Sequence, residues 1–241
     1  MRRITGFVLL CLSALFFQSA VSPQGSIIAF EVEPWQHSLA LYWKDSVGRI
    51  LNNFEALKKH CAAKNEELVF ATNGGMFTED FSPLGLYKEN QKEFRKLNTD
   101  SGNGNFYLKP NGVFFFYGKG KEPGIMSTEL CETYKDVMYA SYATQSGPML
   151  LINGSVHPAF TKGSTNLNIR NGVGILPNGH ALFVIATEAI NFYDFAMYFK
   201  KRGCKDALYL DGFVSRVWQE GRQIPVASQN FGVMVGVTKR K

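Results

Sequence analysis

Four short segments join polar or charged side chains to glycine, and their residue types could carry chemistry. They are 73–77 (NGGMF), 145–148 (QSGP), 169–173 (IRNGV) and 210–215 (LDGFVS). Each borders an apolar run typical of a β-strand, where glycine lets the backbone turn sharply and lets a ligand approach closely. A rigid sheet that presents such loops at one edge is a common scaffold for a catalytic pocket. The pattern therefore predicts a pocket at a sheet edge.

Arg170 and Asp211 are the charged candidates in these segments. Arg170 follows Ile169 in a run that otherwise predicts a buried strand, and a buried guanidinium needs either a carboxylate or an anionic ligand. The sequence leaves both partners open. Asp211 follows a predicted strand at 207–210 and precedes Gly212. It is either a carboxylate at the mouth of the sheet or a turn-forming residue.

Neighbouring polar residues and glycines are candidates for holding a substrate. Asn73 is either a turn former or a catalytic side chain, and the amides of Gly74 and Gly75 after it could hold an anion. Among the remaining candidates, Gln145 and Ser215 are more simply explained as loop residues beside glycine, while capping or exposure explains Glu188 equally well. These remaining candidates are Gln145, Ser146, Asn171, Glu188 and Ser215.

Motifs of well-known catalytic classes are absent from the sequence. It has no GxSxG, HExxH, P-loop or GxGxxG segment, its four histidines stand apart, and its cysteines lack a CxxC spacing. We therefore expect no metal site and no cofactor, with a divalent cation held by Asp211 and loop carbonyls as the alternative. The net charge is +6, but no Lys/Arg run or basic stripe supports nucleic-acid binding.

Composition and turn signals predict one folded domain. The chain has 241 residues, of which 45% are hydrophobic and 19% charged, enough for one sizeable core and unlike a disordered chain. Three Asn-Gly pairs predict hairpins. The hairpins join 106–108 to 113–117, 148–152 to 155–160, and 169–176 to 180–187. The predicted fold class is α+β, a mixed, largely antiparallel sheet with a few packed helices in a single domain.

Helices are expected at two capping signals. Ser46 can cap a helix that continues through 57, and Asn191 with Asp194 can form a second cap. Segments 27–33 and 37–43 alternate apolar and polar residues and predict a strand pair. The other expected elements are a loop or lid at 84–105 and strands at 68–72, 207–210 and 231–237.

The first residues predict an export signal. Arg2 and Arg3 precede an uncharged apolar run at 7–17, which is shorter than the roughly 20 residues that cross a bilayer. We expect a signal peptide at 1–22 and a mature domain at 23–241 without a transmembrane segment, in the periplasm or secreted. An uncleaved anchor is the alternative. Outside the cytosol one disulfide is expected, its pairing left open among Cys61, Cys131 and Cys204.

Taken in order, these segments resemble the phosphodiester glycosidase family, and this chain is similar to the exported bacterial members. The resemblance extends over about residues 65 to 237 and rests on the order and spacing of the motifs. Phe213 follows Gly212 here, whereas eukaryotic members tend to have a second glycine, so their substrate is not carried over. The matching pieces are 73–77, 83–86, 145–150, 170–174 and 209–212 with Ser215.

The resemblance implies hydrolysis of a sugar-1-phosphodiester at the anomeric carbon. We hypothesise that Arg170 and the amides near Gly74 and Gly75 hold the phosphate, while Asp211 faces the same cavity and orients water or stabilises the sugar cation. Asn73 and the other polar candidates would contact sugar or phosphate oxygens. The expected partner is a sugar phosphate or a cell-envelope glycan. Two alternatives stay open: a non-catalytic envelope protein that binds glycan or anionic polymer, and a metal-dependent phosphodiesterase.

Overall fold

The structure is a computed structural model that describes residues 27–118, 122–134, 136–212, 215–222 and 230–239. Within these ranges the protein is mostly β, with three antiparallel sheets and four short helices. The predicted antiparallel pairing is confirmed. The predicted α+β class is confirmed only in part, because the protein has more strand and less helix than that class implies. The strands are β1 (Ile27–Val32), β2 (His37–Tyr42), β3 (Leu68–Asn73), β4 (Tyr87–Glu89), β5 (Lys92–Arg95), β6 (Gly112–Phe116), β7 (Gly124–Ser127), β8 (Tyr142–Ser146), β9 (Met149–Ile152), β10 (Ser155–Val156), β11 (Asn171–Ile175), β12 (Ala181–Ala186), β13 (Ala207–Asp211), β14 (Val217–Gln219) and β15 (Met234–Lys239).

A six-stranded sheet with the order β1-β12-β11-β13-β9-β10 forms one layer. Two of the predicted Asn-Gly hairpins lie in it, because β9 pairs with β10 and β11 pairs with β12. The turn between β11 and β12 contains Asn178 and Gly179, and Gly179 has the positive φ that this turn requires. Both hairpins are confirmed, with shorter strands than the sequence predicted.

The second sheet has four strands in the order β14-β3-β15-β2. It corrects the predicted strand pair at 27–33 and 37–43: β1 pairs with β12 of the first sheet, whereas β2 pairs with β15. The turn at 34–36 therefore passes from one sheet to the other. Local alternation predicted both strands, but it carries no information about distant partners.

The third sheet, β5-β4-β8-β6-β7, corrects two further predictions. The segment 84–105 is not a loop throughout, since it contains the antiparallel strands β4 and β5. The predicted hairpin between 106–108 and 113–117 does not form, because Asn105–Tyr107 is a 3-10 turn and β6 pairs with β7 and β8.

The helices are α1 (Phe54–Ala63), α2 (Thr128–Thr133), α3 (Asp136–Tyr139) and α4 (Phe192–Lys201). α4 follows its prediction, since Asn191 Oδ1 accepts from the Asp194 amide and Asn191 Nδ2 donates to the Asp194 carboxylate. The first helix begins later than Ser46 predicted. Asn53 caps it, and Val47 is exposed in the preceding turn.

Apolar side chains from all three sheets meet in one core, represented by Val173, Val235 and Phe114. A second cluster lies on the other face of the six-stranded sheet, where α4 packs through Phe195 and Phe199. Asn171 and Arg170 are adjacent in sequence and therefore face these two different layers.

The expected disulfide is not present among the cysteines that the structure describes. Cys61, Cys131 and Cys204 are all free thiols, and Cys61 and Cys204 are buried in separate apolar clusters. Burial raises the pKa of each thiol. No helix within the described ranges is long and apolar enough to cross a membrane. The predicted signal peptide at 1–22 and Phe213 lie outside the described residues.

Candidate functional site

Polar side chains from three strand ends converge where the six-stranded and four-stranded sheets meet. Asn73 is the last residue of β3, Asn171 is the first of β11, and Asp211 is the last of β13. Asn73 Nδ2 donates to Asp211 Oδ2 over 3.3 Å, while Asn171 Nδ2 donates to the Asn73 carbonyl over 2.9 Å. These bonds join three distant segments into one buried network.

Ser215 and Thr72 extend this network. Ser215 Oγ donates to Asn171 Oδ1 at 3.2 Å, and Asn171 Nδ2 also donates to Thr72 Oγ1 at 3.0 Å. Thr72 Oγ1 in turn donates to the Arg216 carbonyl, and the Arg216 amide donates to Asn73 Oδ1 at 2.8 Å. Both amide side chains therefore use their oxygen and their nitrogen, so each orientation is fixed by several partners.

A β-bulge at Leu210 directs Asp211 into this network. Asn171 pairs with Asp211, but the next residue, Gly172, pairs with Tyr209, which leaves Leu210 as an extra residue on β13. Such a bulge breaks the alternation of side chains along a strand. Leu210 lies in the core between the sheets and Tyr209 lies in the opposite cluster with α4. Asp211 consequently faces Asn73 rather than the side that Tyr209 occupies.

Asp211 is 8% exposed, and the pKa of its carboxyl group is raised to about 7. Burial is the largest cause because it removes water from the charged form, and no cationic side chain is among the opposing causes. The Gly212 amide, 2.6 Å from Oδ1, and Asn73 Nδ2 oppose the shift by hydrogen bonding to the carboxylate. Near neutral pH this group exchanges a proton readily, as a general acid or base requires.

Arg170 directly precedes β11 and is buried against Phe192 and Tyr209, at 1% exposure. Its Nε donates to the Ile190 carbonyl at 2.8 Å, and its NH2 donates to the carbonyl and side-chain oxygens of Asn166. Its guanidinium stacks 3.6 Å above the Phe192 ring. No carboxylate pairs with Arg170 within the described ranges, so the internal salt bridge that the sequence left open is replaced by neutral acceptors and an aromatic ring.

Tyr209 connects Arg170 with the turn that carries Asp211. Arg170 NH1 lies 3.5 Å from the Tyr209 hydroxyl, and a Cβ atom placed on Gly212 would overlap that hydroxyl. Glycine at 212 is therefore required for the close approach of the phenol to the backbone. The pKa of Tyr209 is raised, chiefly by burial, so the hydroxyl stays protonated.

Gln145 and Ser146 hold loops and strands rather than facing Asp211. Gln145 Oε1 accepts from the amides of Leu86 and Asn98, and its Nε2 donates to the Asn98 carbonyl and to Thr128 Oγ1. Ser146 Oγ donates to the Leu210 carbonyl at 2.8 Å, next to the bulge. The hydrogen bonds of Gln145 are thus fully employed inside the protein.

The Gly74 amide is also employed, since it donates to the Val233 carbonyl at 2.8 Å. A Cβ atom on Gly74 would lie 2.9 Å from the Met234 carbonyl carbon, so close strand packing accounts for this glycine. Glu188 is exposed in the segment between β12 and α4. The structure therefore unites Asn73, Asn171, Asp211 and Ser215, and it gives Gly74, Gln145 and Glu188 other surroundings.

Sequence reasoning missed Thr72, Tyr209 and Arg216. Thr72 and Tyr209 lie one and two positions from predicted site residues, inside apolar runs where they read as ordinary strand residues. Arg216 follows Ser215 directly, and this adjacent cation was the one signal that could have identified it. Among the described residues no group of three or more His, Cys, Asp or Glu is arranged to hold a metal ion.

A model of the phosphodiester glycosidase family matches residues 66–236, which include every member of the network. The chain belongs to the phosphodiester glycosidase family. The Escherichia coli K12 protein "Uncharacterized protein YigE" is 36% identical over 219 residues, which cover 90% of this chain and 84% of that protein. At the level of the family, these matches bear out the resemblance inferred from the ordered motifs.

Two solved structures share the fold of this family member. One is the zebrafish N-acetylglucosamine-1-phosphodiester α-N-acetylglucosaminidase catalytic domain, auto-inhibited by its pro-peptide, with a TM-score of 0.55 and 16% identity. The alignment covers 88% of this chain and 76% of that one. The other is a hypothetical protein from Synechocystis, with a TM-score of 0.54, 12% identity, and coverage of 90% and 60%.

Proposed function

We propose that this protein is an exported hydrolase that cleaves a sugar-1-phosphodiester at the anomeric carbon. The observation that carries the proposal is the Asp211 carboxyl group, buried at the junction of two sheets with a pKa raised to about 7. Membership of the phosphodiester glycosidase family supports the reaction class. The proposed substrate is a sugar phosphate or a glycan of the cell envelope.

The reaction assigned to Asp211 follows from its proton chemistry. The anomeric C–O bond breaks, and its electron pair leaves with the phosphate monoester, a good leaving group that needs little proton donation. Ionised Asp211 stabilises the developing sugar cation and takes a proton from the attacking water as the new C–O bond forms. Asn73 and the Gly212 amide fix both carboxylate oxygens, which supports a defined direction of attack.

The phosphate requires positive charge, and two arginines are candidates. Arg170 lies behind the Asp211 turn and is linked to it by Tyr209, without a carboxylate partner among the described residues. Arg170 is 1% exposed, so direct contact with a phosphate requires the residues that cover it to move. Arg216 is half-buried and its backbone is bonded to Asn73, beside the carboxyl group. We assign phosphate binding to Arg216 and long-range positive charge to Arg170.

The remaining site residues are proposed to bind or orient the substrate. Asn171 and Ser215 belong to the same network as Asp211, so we assign them to contacts with sugar hydroxyls or to holding the carboxyl group. Ser146 supports the bulge through the Leu210 carbonyl. Gly75 and Glu188 keep the substrate-binding assignment. Gln145 and Gly74 keep it on the condition that a present hydrogen bond is exchanged, for Gly74 the bond to the Val233 carbonyl.

A turnover assay with matched variants tests the proposal. Purified mature protein, 23–241, is incubated with a panel of sugar-1-phosphodiesters, and free sugar is measured by chromatography. We expect release by the wild type and a loss of at least about 100-fold in Asp211→Ala, because one essential proton acceptor is removed. Unchanged release in Asp211→Ala would remove this residue from the mechanism.

Two variants separate the roles of the arginines, and binding and chelator measurements separate the rival functions. Arg216→Gln should raise KM more than it lowers kcat if the guanidinium binds phosphate in the ground state, whereas Arg170→Ala should lower kcat by disturbing the Asp211 turn. Binding of the panel without any turnover would identify a non-catalytic glycan-binding protein. Loss of turnover on adding a chelator, restored by a divalent cation, would identify a metal-dependent phosphodiesterase.

Export is proposed from the residues at the start of the chain. Arg2, Arg3 and the apolar run at 7–17 suit a signal peptide at 1–22, followed by the mature domain at 23–241. Mass measurement of the protein recovered from the periplasm or medium tests both the location and the cleaved bond. Recovery of the full-length chain in the membrane fraction would instead support an uncleaved anchor.

A further inference from the structure

A cavity lies where all three sheets meet, at the opposite end of the β11–β12 hairpin from Asp211. Its volume is about 260 Å³, just below the range typical of drug-sized ligand pockets, and it therefore suits a single ring. The turn from β1 to β2 and the β11–β12 turn line it, together with Gly118, Glu122 and Pro123. Val32, Leu39 and Phe116 form an apolar floor that belongs to the main core or packs against it.

The polar rim of this cavity is held in place before any ligand arrives. Asn178 Nδ2 donates to Glu31 Oε1 at 3.0 Å, and His180 Nδ1 lies 2.6 Å from the same oxygen. Asn178 Oδ1 accepts from the His180 amide at 3.1 Å. Because three polar side chains fix one another, the amide and imidazole present donors and acceptors in defined directions.

Glu122 reaches the same rim because position 179 is glycine. A Cβ atom on Gly179 would lie 2.5 Å from the Glu122 carboxyl carbon, and Gly179 has a φ of +82°. The carboxylate therefore lies directly over the turn between Asn178 and His180. This close approach adds a charged hydrogen-bond acceptor to the rim, and any other residue at 179 would displace it.

Trp35 stands at the mouth of the cavity with 83% of its surface exposed. A flat aromatic face beside a small cavity, with amide, imidazole and carboxylate groups around it, matches the two sides of a pyranose. The pyranose ring presents its C–H groups to an aromatic face and its hydroxyl groups to polar acceptors and donors. The Glu122 carboxylate at this rim accepts hydrogen bonds from sugar hydroxyls and repels a phosphate, so the described lining favours a neutral ligand.

We propose that this cavity, lined by Trp35, His37, Glu122, Asn178 and His180, binds a neutral sugar residue. It is separate from the hydrolytic site, because the strand from Asn171 to Ile175 is roughly 14 Å long at about 3.4 Å per residue. The inference goes beyond the proposed hydrolysis and does not depend on it. In a glycan substrate, such a subsite would hold a sugar remote from the phosphodiester.

Ligand titration by heteronuclear NMR on the mature protein tests the proposal. The probes are methyl α-glucoside, N-acetylglucosamine and maltotriose as neutral sugars, glucose 1-phosphate as an anion and choline as a cation. We expect at least one neutral sugar to shift the Trp35 indole, the Asn178 side-chain amide and the Gly179 amide, without shifting Gly212. Exclusive shifts with choline, or no shifts with any neutral sugar, would overturn the proposal.

Matched variants give the site an energetic test. Trp35→Ala should weaken the sugar affinity roughly tenfold or more, and Trp35→Phe should recover part of it, because a ring remains. Glu122→Gln should weaken it less. Tyr139→Ala is the control, since it removes an equally exposed aromatic ring outside the cavity lining. Equal sugar affinities in Trp35→Ala and Tyr139→Ala would refute the subsite. Turnover of small sugar-1-phosphodiesters by Trp35→Ala is measured separately and reports on the hydrolytic site.

Discussion

Asn73 Nδ2 donates to Asp211 Oδ2 over 3.3 Å and joins two residues that are 138 positions apart in the chain. The two side chains end strands of different sheets, β3 and β13. The surroundings of the carboxyl group therefore depend on how these sheets dock. Because burial raises its pKa and the hydrogen bonds from Asn73 and Gly212 lower it, small changes in this junction shift the proton equilibrium near neutral pH.

Asp211→Asn is expected to stabilise the fold at neutral and higher pH while abolishing turnover. The folded pKa of about 7 exceeds the ordinary value of 3.8, so the folded protein binds the proton more tightly than the unfolded chain. The contribution of this group to the free energy of unfolding is fully present below pH 3.8. It falls by about 4 kcal/mol in total as the pH rises to 7. Asparagine removes the charge and loses only the acceptor for Asn73, worth about 1 kcal/mol.

Denaturant unfolding across this pH range measures that difference. Asp211→Asn should unfold at higher denaturant than the wild type above pH 7, and the two should converge at low pH. A constant difference at all pH values would mean that the folded pKa of Asp211 is ordinary.

The hydrolysis rate should rise with pH through the pKa of Asp211. If the ionised carboxylate accepts the proton, kcat/KM increases about tenfold per pH unit below 7 and levels off above it. Initial rates with one sugar-1-phosphodiester in buffers of constant ionic strength give the profile. A rate that falls through the same pH would instead assign Asp211 the role of a general acid.

Asn171→Ala is expected to destabilise the protein by roughly 2–3 kcal/mol. The substitution removes the donor to the Asn73 carbonyl and to Thr72 Oγ1, and it leaves buried oxygens without that partner. Ser215→Ala is the milder comparison. Within the described residues the Ser215 side chain donates only to Asn171, so a loss of about 1 kcal/mol is expected. Thermal and denaturant unfolding give both values. Equal losses of stability would contradict the larger role assigned to Asn171 in the network.

Gly212→Ala should lower turnover, and Tyr209→Phe should restore part of it in the double variant. The added methyl group overlaps the Tyr209 hydroxyl and must displace the turn that carries Asp211, whereas phenylalanine leaves room. Residues in contact typically couple by about 0.5–3 kcal/mol. The effects of the two single substitutions on kcat/KM should therefore not add up to the effect of the double substitution. Additive effects would show that the hydroxyl does not support the turn.

The sequence predicted the elements that depend on local signals. The Asn191 cap, the Asn178-Gly179 turn and the strand ending at Asp211 each need only a few neighbouring residues, and each is present. The sequence also brought Asn73, Asn171, Asp211 and Ser215 together as candidates, because each ends or begins an apolar strand beside glycine or a turn. Their roles in catalysis stay predictions.

Features that depend on distant partners could not be predicted. The alternation at 27–43 gave two strands but not their assignment to different sheets. The hypothesis that Arg170 and Asp211 face one cavity came from the glycine-containing segments and the family resemblance, and it stays a prediction. The structure adds a register shift that the sequence did not indicate, because the extra residue Leu210 turns the Asp211 carboxyl group towards Asn73. Register shifts of this kind arise from packing between strands, which a single sequence does not display.

Hydrolysis in water labelled with heavy oxygen tests the central claim most directly. The wild-type protein cleaves a sugar-1-phosphodiester in this solvent, and mass spectrometry locates the label in the products. Attack at the anomeric carbon assisted by Asp211 predicts label in the released sugar, none in the phosphate monoester, and no product from Asp211→Asn. Label in the phosphate monoester would contradict the account, because it would place the broken bond between phosphorus and oxygen.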